Sequence, residues 1–247
     1  MDLENKCAII TGSTRGIGFS IAQALVQEGA NVVISSRHPE NIKTAIGRLD
    51  RLVEGRATGK QCDVREAEQV QELIQYCVDT LGGVDILINN AGVGLFNLVE
   101  NMSLEEWSDT IATNLDGVFY GCHFAIPIMK ENGGGFVINI GSLAGKNAFP
   151  KGAAYNASKF ALVGFSEALM EETRYDNIRV AHIMPGSVAT EFSGKPVGGE
   201  DSWKISTDDI AEVVIQTLKH RSSCLTSCIE MRRGGRARGE GGRGGGG

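Results

Sequence analysis

Tyr155 and Lys159, in the run Tyr155-Asn156-Ala157-Ser158-Lys159, are the side chains best suited to proton chemistry, and Ser142 lies thirteen positions before Tyr155. The apolar pattern of residues 153–170 predicts a helix, on which residues four apart share a face. A phenol has an ordinary pKa of about 10, and a nearby cation favours its ionised form and lowers that value. A phenol and an ammonium so placed could donate or accept a proton near physiological pH. The spacing is common by chance, so the reading depends on what the rest of the chain brings to it.

Residues 6–11 form a short apolar run ending at a glycine, which predicts a buried strand. Thr11-Gly12-Ser13-Thr14-Arg15-Gly16-Ile17-Gly18 follows, and then a stretch with Ile17, Ile21, Leu25 and Val26 at helical spacing. Strand, glycine turn and helix in that order make an anion site. The glycines let backbone approach a ligand closely, and the unpaired N–H groups of the new helix favour a negative charge. A dinucleotide pyrophosphate fits, with residues 12–18 as its contacts.

A second strand, residues 31–35, runs into Ser36-Arg37. In dinucleotide-binding folds a carboxylate there holds the ribose 2′-hydroxyl, whereas arginine suits a 2′-phosphate. No Asp or Glu occurs between Asn31 and Pro39, and Arg15 lies in the glycine turn, so the expected cofactor is NADP (NADPH). Further strands are expected at 56–62 and 84–88, with helices at 39–54 and 66–81. Asp63-Val64, at the end of the third strand, is placed to flank the adenine. Asn89-Asn90-Ala91-Gly92, after the fourth strand, suits close backbone packing beside the cofactor. Four strands alternating with helices indicate a parallel sheet.

Residues 103–130 read as one helix, with Ser103 and Glu106 at the spacing of a capping box. Asn114 falls inside it, where asparagine competes with the backbone for hydrogen bonds, and so calls for an explanation. A fifth strand, 136–140, delivers Ser142 to the same edge as the cofactor contacts. A sixth, 178–184, ends in Pro185-Gly186. Residues 191–206 read as a mobile loop over the site, 208–220 as a last helix and 224–231 as a short closing strand. The fold class is α/β, a Rossmann-like doubly wound parallel sheet in three layers. A single domain covers residues 1–231, with a disordered Arg/Gly-rich tail at 232–247.

The chain carries a net charge of −6; its 24 basic and 30 acidic residues become 19 and 29 once the tail's five arginines and one glutamate are set aside. So acidic a body argues against a nucleic-acid-binding core. No apolar run reaches the roughly 20 residues of a membrane span, and the first residues lack a signal-peptide pattern, so a cytoplasmic protein is expected. The six cysteines lack a C-x-x-C pair and read as free, buried thiols; the histidines lack metal-binding spacing, so no metal is expected.

Together these residues resemble the short-chain dehydrogenases/reductases over roughly residues 4–231. The resemblance rests on Thr11-Gly12-x-x-x-Gly16-x-Gly18, Asn89-Asn90-Ala91-Gly92, Asn114, Ser142, Tyr155-x-x-x-Lys159 and Pro185-Gly186 in that order. It implies a catalytic tetrad. Tyr155 would be the general acid of carbonyl reduction and the base of alcohol oxidation, and Lys159 would lower its pKa and hold the nicotinamide ribose. Ser142 would stabilise charge on the substrate oxygen, Asn114 would anchor a proton-relaying water, and Val188 and Thr190 would meet the carboxamide. The substrate implied is a small carbonyl compound.

A 3-oxoacyl-acyl-carrier-protein reductase is the alternative, with Lys130 as a contact for the acidic carrier. Against it stand Asp176-Asn177 where those reductases tend to be basic, and a carboxyl end without their glycine-rich close. A third reading, a catalytically silent scaffold with an RNA-binding tail, leaves the complete tetrad unexplained. A homotetramer or dimer packed through the helices at 103–130 and 153–175 is expected.

Overall fold

The structure, a computed structural model, describes residues 1–190, 203–221 and 223–234. Seven parallel strands form one sheet in the order β3-β2-β1-β4-β5-β6-β7. They are β1 (Cys7–Ile10), β2 (Asn31–Ser36), β3 (Ala57–Gln61), β4 (Ile86–Asn89), β5 (Gly135–Ile140), β6 (Ile178–Pro185) and β7 (Cys228–Met231). The central strands β1, β4 and β5 are buried at every position, as continuous apolar runs covered on both faces must be. One core lies between the sheet and α1 (Gly16–Gln27), α2 (Pro39–Leu49) and α7 (Thr207–Lys219). The other lies under α3 (Ala67–Leu81), α5 (Gly117–Glu131) and α6 (Ala153–Thr173).

Strand order reverses between β1 and β4, which pair through Ala8–Ile86, Ile9–Leu87 and Ile10–Ile88. The crevice at the carboxyl ends of these two strands is where open α/β sheets take ligands. The glycine turn follows β1 and the Asn89-Asn90-Ala91-Gly92 segment ends β4, while Ser142 follows β5; Asn114, Tyr155 and Lys159 come from helical segments.

Three expectations change. The helix expected over 39–54 stops at Leu49, and a turn carries the chain to β3. The single helix expected over 103–130 is two, α4 (Leu104–Ile111) and α5, joined by a π-helical turn at Ala112–Asp116. The capping box is present: Ser103 Oγ accepts from the Glu106 N–H at 3.0 Å, and Glu106 Oε2 accepts from the Ser103 N–H at 2.8 Å. Finally, of the six free cysteines only Cys7, Cys62, Cys77 and Cys122 are buried, while Cys224 and Cys228 are exposed.

No described helix is long and apolar enough to cross a membrane. Residues 191–202 of the expected loop, and 235–247 of the tail, lie outside the described residues. Where description resumes, Ile205 forms a parallel bridge with Val188.

Candidate active site

The glycine turn is built by contact, not by glycine content alone. Gly12 and Gly16 have φ of +61° and +56°, in the left-handed region glycine adopts without strain. A Cβ on Gly12 would come within 2.9 Å of the Ala91 Cα. One on Gly18 would strike the Asn90 amide and lie 2.6 Å from the Gly12 carbonyl oxygen. Asn90 explains this closeness, since its Nδ2 donates to the Thr11 and Gly12 carbonyls, both at 2.9 Å. Thr11 Oγ1 in turn accepts from the N–H groups of Asn90 and Ala91, both at 3.0 Å. The Asn90-Ala91 segment is thus clamped under the turn.

Gly18→Ala is therefore expected to displace the turn. Cofactor affinity should fall by at least about tenfold, since a misplaced anion site forfeits about 1.4 kcal/mol or more, as isothermal titration would read. Unchanged affinity would contradict the packing account.

Ser13 is turned inward. It is fully buried, its Oγ donates to the Ile10 carbonyl at 2.6 Å and accepts from the Ser35 N–H at 3.0 Å. That hydroxyl braces β1 against β2, and the Ser13 N–H donates to the Ser35 carbonyl at 3.0 Å, so Ser13 ties the turn to the sheet rather than presenting a donor to a ligand as expected. Arg15 directly precedes α1, and Arg37 is an exposed side chain at the end of β2, its carbonyl held by Gln61 Nε2 at 3.0 Å. Thr190 closes the far side: a Cβ on Gly16 would meet its Cγ2 at 3.6 Å. Gly186 is fixed by its N–H donating to the Met231 carbonyl at 2.9 Å.

Asp63 is held by Arg65, whose Nη2 donates to Oδ2 at 2.7 Å while its Nη1 reaches Asp109 at 2.6 Å. Burial pushes the Asp63 carboxyl up, but the hydrogen bonds and charge of Arg65 together hold it below its usual value. Asp63 is therefore a fixed, ionised group where the third strand ends. Val64 packs against Gly117, where a Cβ would fall 2.8 Å from the Val64 carbonyl oxygen.

Asn114 explains the π turn. Its Oδ1 accepts from the Val93 N–H at 2.8 Å, and its Nδ2 donates to the Val93 carbonyl at 2.9 Å and to Ser158 Oγ at 3.1 Å. One side chain thus satisfies both backbone groups of Val93. Such single π turns inside helices are frequent at functional sites. A Cβ on Gly92 would lie 3.3 Å from Asn114 Oδ1 and 4.0 Å from Lys159 Nζ, so Gly92, Asn114 and Lys159 share one pocket.

Ser142 caps a short turn, its Oγ accepting from the Ala144 N–H at 3.1 Å. It also hydrogen-bonds the Tyr155 phenol. Lys159 is 5% exposed, and its Nζ donates to the Ile140 carbonyl at 3.0 Å, which aims the amine at the end of β5. Burial pulls its pKa down to about 8. Nζ lies 5.9 Å from the centre of the Tyr155 ring.

The sign of the Tyr155 shift differs from the expectation. Burial raises it above 10, and the Ser142 hydrogen bond only partly opposes this. The phenol is thus a protonated donor through neutral pH, and the pull of Lys159 toward the phenolate is available only while the amine is charged, below about 8.

Two residues the sequence reading passed over hold this arrangement. Ser158 is fully buried; its Oγ donates to the Tyr155 carbonyl at 2.8 Å and accepts from Asn114. Asn156 Nδ2 donates to the carbonyls of Ala144 at 2.7 Å and Asn147 at 3.2 Å, and its Oδ1 accepts from the Phe149 N–H at 3.3 Å. Their signal was polarity on the buried side of an otherwise amphipathic helix.

A family model described as short chain dehydrogenase matches residues 6–199, which carry the glycine turn, Asn114, Ser142, Tyr155 and Lys159. The chain belongs to the short-chain dehydrogenase/reductase family. It is 36% identical over 193 residues to a 3alpha-hydroxysteroid dehydrogenase of Mediterraneibacter gnavus, spanning 78% of this chain and 77% of that one. An alcohol dehydrogenase of the archaeon Thermococcus sibiricus, solved with 5-hydroxy-NADP, superposes with a TM-score of 0.86 at 28% identity, over 95% of this chain and 99% of its own. The 3-ketoacyl-(acyl-carrier-protein) reductase of Brucella melitensis, solved with NADH, gives 0.85 at 28% identity, over 92% and 97%.

As a short-chain oxidoreductase acting on CH–OH groups, the chain has the parts the chemistry requires. The cradle at Gly12 and Gly18 and the start of α1 fit a nicotinamide dinucleotide, which would supply the hydride. The protonated Tyr155 hydroxyl, the Ser142 hydroxyl bonded to it and the buried Lys159 amine stand together at the same sheet edge.

Proposed function

We propose that this protein is an NADPH-dependent reductase of small ketones and aldehydes. The observation that carries the cofactor choice is the end of β2, where Ser36 and exposed Arg37 stand with no carboxylate between Asn31 and Pro39. A 2′-phosphate would meet charge complementarity there, and Arg15 adds to it from the glycine turn. A bound NADPH would supply the hydride to the carbonyl carbon, and Tyr155 gives its phenolic proton to the oxygen, so that a ketone becomes a secondary and an aldehyde a primary alcohol.

Arg37→Asp is expected to raise the Michaelis constant for NADPH by at least about tenfold while changing that for NADH by less than about twofold, the loss of one charge-assisted phosphate contact. Equal effects on the two cofactors would sink the assignment.

The acyl-carrier reading is weaker than the sequence allowed. Lys130, the residue expected to meet an acidic carrier, forms an ion pair with Asp176 at 2.6 Å. An acidic carrier would have to compete with this half-exposed pair for Lys130. For assembly, the exposed rings of Phe119 on α5 and Phe160 on α6 support a homo-oligomer joined through those helices.

A further inference from the structure

Two phenylalanines beside Tyr155 have no part in the chemistry described so far. Phe96 and Phe149 are 44% and 41% exposed, although each is among the largest apolar side chains in the sequence. They come from separate segments, one after β4 and one between β5 and α6. Phe96 stands edge-on to the Tyr155 ring, with centroids 5.5 Å apart and planes at 75°. Phe149 lies 6.5 Å from the same ring at 51°, and the two phenylalanines are 5.7 Å apart at 57°. Two rings thus flank the phenol that delivers the proton, and both present apolar surface to solvent.

The rings are held in place from below. The Asn97 N–H donates to the Lys151 carbonyl at 2.9 Å, tying the two segments together. Asn97 Nδ2 donates to the Asn101 carbonyl at 3.0 Å, and its Oδ1 accepts from the Leu98 N–H at 3.0 Å. Asn156 anchors the Phe149 N–H from within the helix that carries Tyr155. Apolar rings kept exposed by dedicated hydrogen bonds are a preorganised surface, and ordering a binding wall in advance lowers the cost of filling it.

We infer that Phe96 and Phe149 form an aromatic subsite that selects ketones bearing a flat aromatic substituent on the carbonyl carbon. This rests on the reductase reading above and names its substrate class. An aryl ring laid against the exposed surface of this touching pair extends the edge-to-face array already present and lies one bond from a carbonyl whose oxygen meets Ser142 and Tyr155. A saturated ring of the same size has the bulk without the quadrupole, and a short dialkyl ketone has neither. The exposed rings also have no charge with which to hold the phosphate-bearing arm of a carrier protein.

The test is NADPH oxidation with acetophenone, cyclohexyl methyl ketone and 2-butanone, by the full-length protein and by Phe96→Ala, Phe149→Ala and Phe96→Tyr. The expected order of kcat/KM is acetophenone over cyclohexyl methyl ketone over 2-butanone, with at least about tenfold between the first and last. Each alanine variant should shrink that ratio to about threefold or less, chiefly through KM for acetophenone, while Phe96→Tyr retains it. The tyrosine variant keeps the ring and so separates loss of the wall from a collapsed site. Turnover of 2-butanone with no aryl preference, or a preference that survives both alanine variants, overturns the subsite and leaves the reductase intact. Turnover of none of the three overturns the subsite, and turnover of no ketone or aldehyde of a wider panel overturns the reductase reading as well.

Discussion

Lys159→Met is expected to make the protein more stable and inactive at once. Burial lowers the Lys159 pKa from 10.5 to about 8, so holding its charge at neutral pH costs about 3 kcal/mol. Methionine fills similar space without a charge. The bond from Nζ to the Ile140 carbonyl would be lost, which offsets about 1 kcal/mol of the gain. A net gain of about 2 kcal/mol raises Tm by roughly 4–8 °C for a chain of this size.

The pH dependence gives the sign its own check. A lysine whose folded-state pKa is depressed weakens the fold fully below that value, and the penalty disappears as pH rises toward the unfolded value. The advantage of Lys159→Met should therefore be largest below about 8 and shrink between about 8 and 10.5. Thermal melts of the cofactor-free protein at neutral and alkaline pH, compared with wild type, would show this. A variant less stable than wild type at neutral pH would mean that the amine's hydrogen bond outweighs its desolvation.

Tyr155→Phe should lose at least about a thousandfold in kcat, within the range attributed to a positioned general acid. The substitution keeps the ring that packs against Phe96 and Phe149 and removes only the hydroxyl that bonds Ser142. Folding and NADPH binding should survive, as circular dichroism and cofactor titration would read. The protonated phenol of wild type predicts carbonyl reduction that is level through neutral pH and declines above about 8, where Lys159 discharges. Turnover persisting in the variant would remove Tyr155 from its role.

Both predictions trace to features legible in the sequence to different depths. The glycine turn, the strands that end at it and the Tyr155–Lys159 spacing depend on local pattern, and the structure assembles them at one sheet edge. What was not legible depends on who meets whom across the fold. That Asn114 would break its helix with a π turn required knowing that Val93 lies opposite. That Ser13 would serve the sheet required knowing that Ser35 stands beside it. The direction of the Tyr155 shift is not legible in the sequence because spacing reveals a neighbouring charge but not the burial that raises the phenol's pKa. Phe96 and Phe149 are distant in sequence, and their segments meet through the hydrogen bond between Asn97 and Lys151 and through the ring contacts themselves.

The most direct test of the central claim is the initial rate of cofactor oxidation by the full-length protein with a panel of ketones and aldehydes, using NADPH and NADH in parallel. Turnover of at least one carbonyl compound, with kcat/KM at least about tenfold higher for NADPH, is the predicted result. Oxidation of neither cofactor by any carbonyl compound, or a preference for NADH, would contradict it.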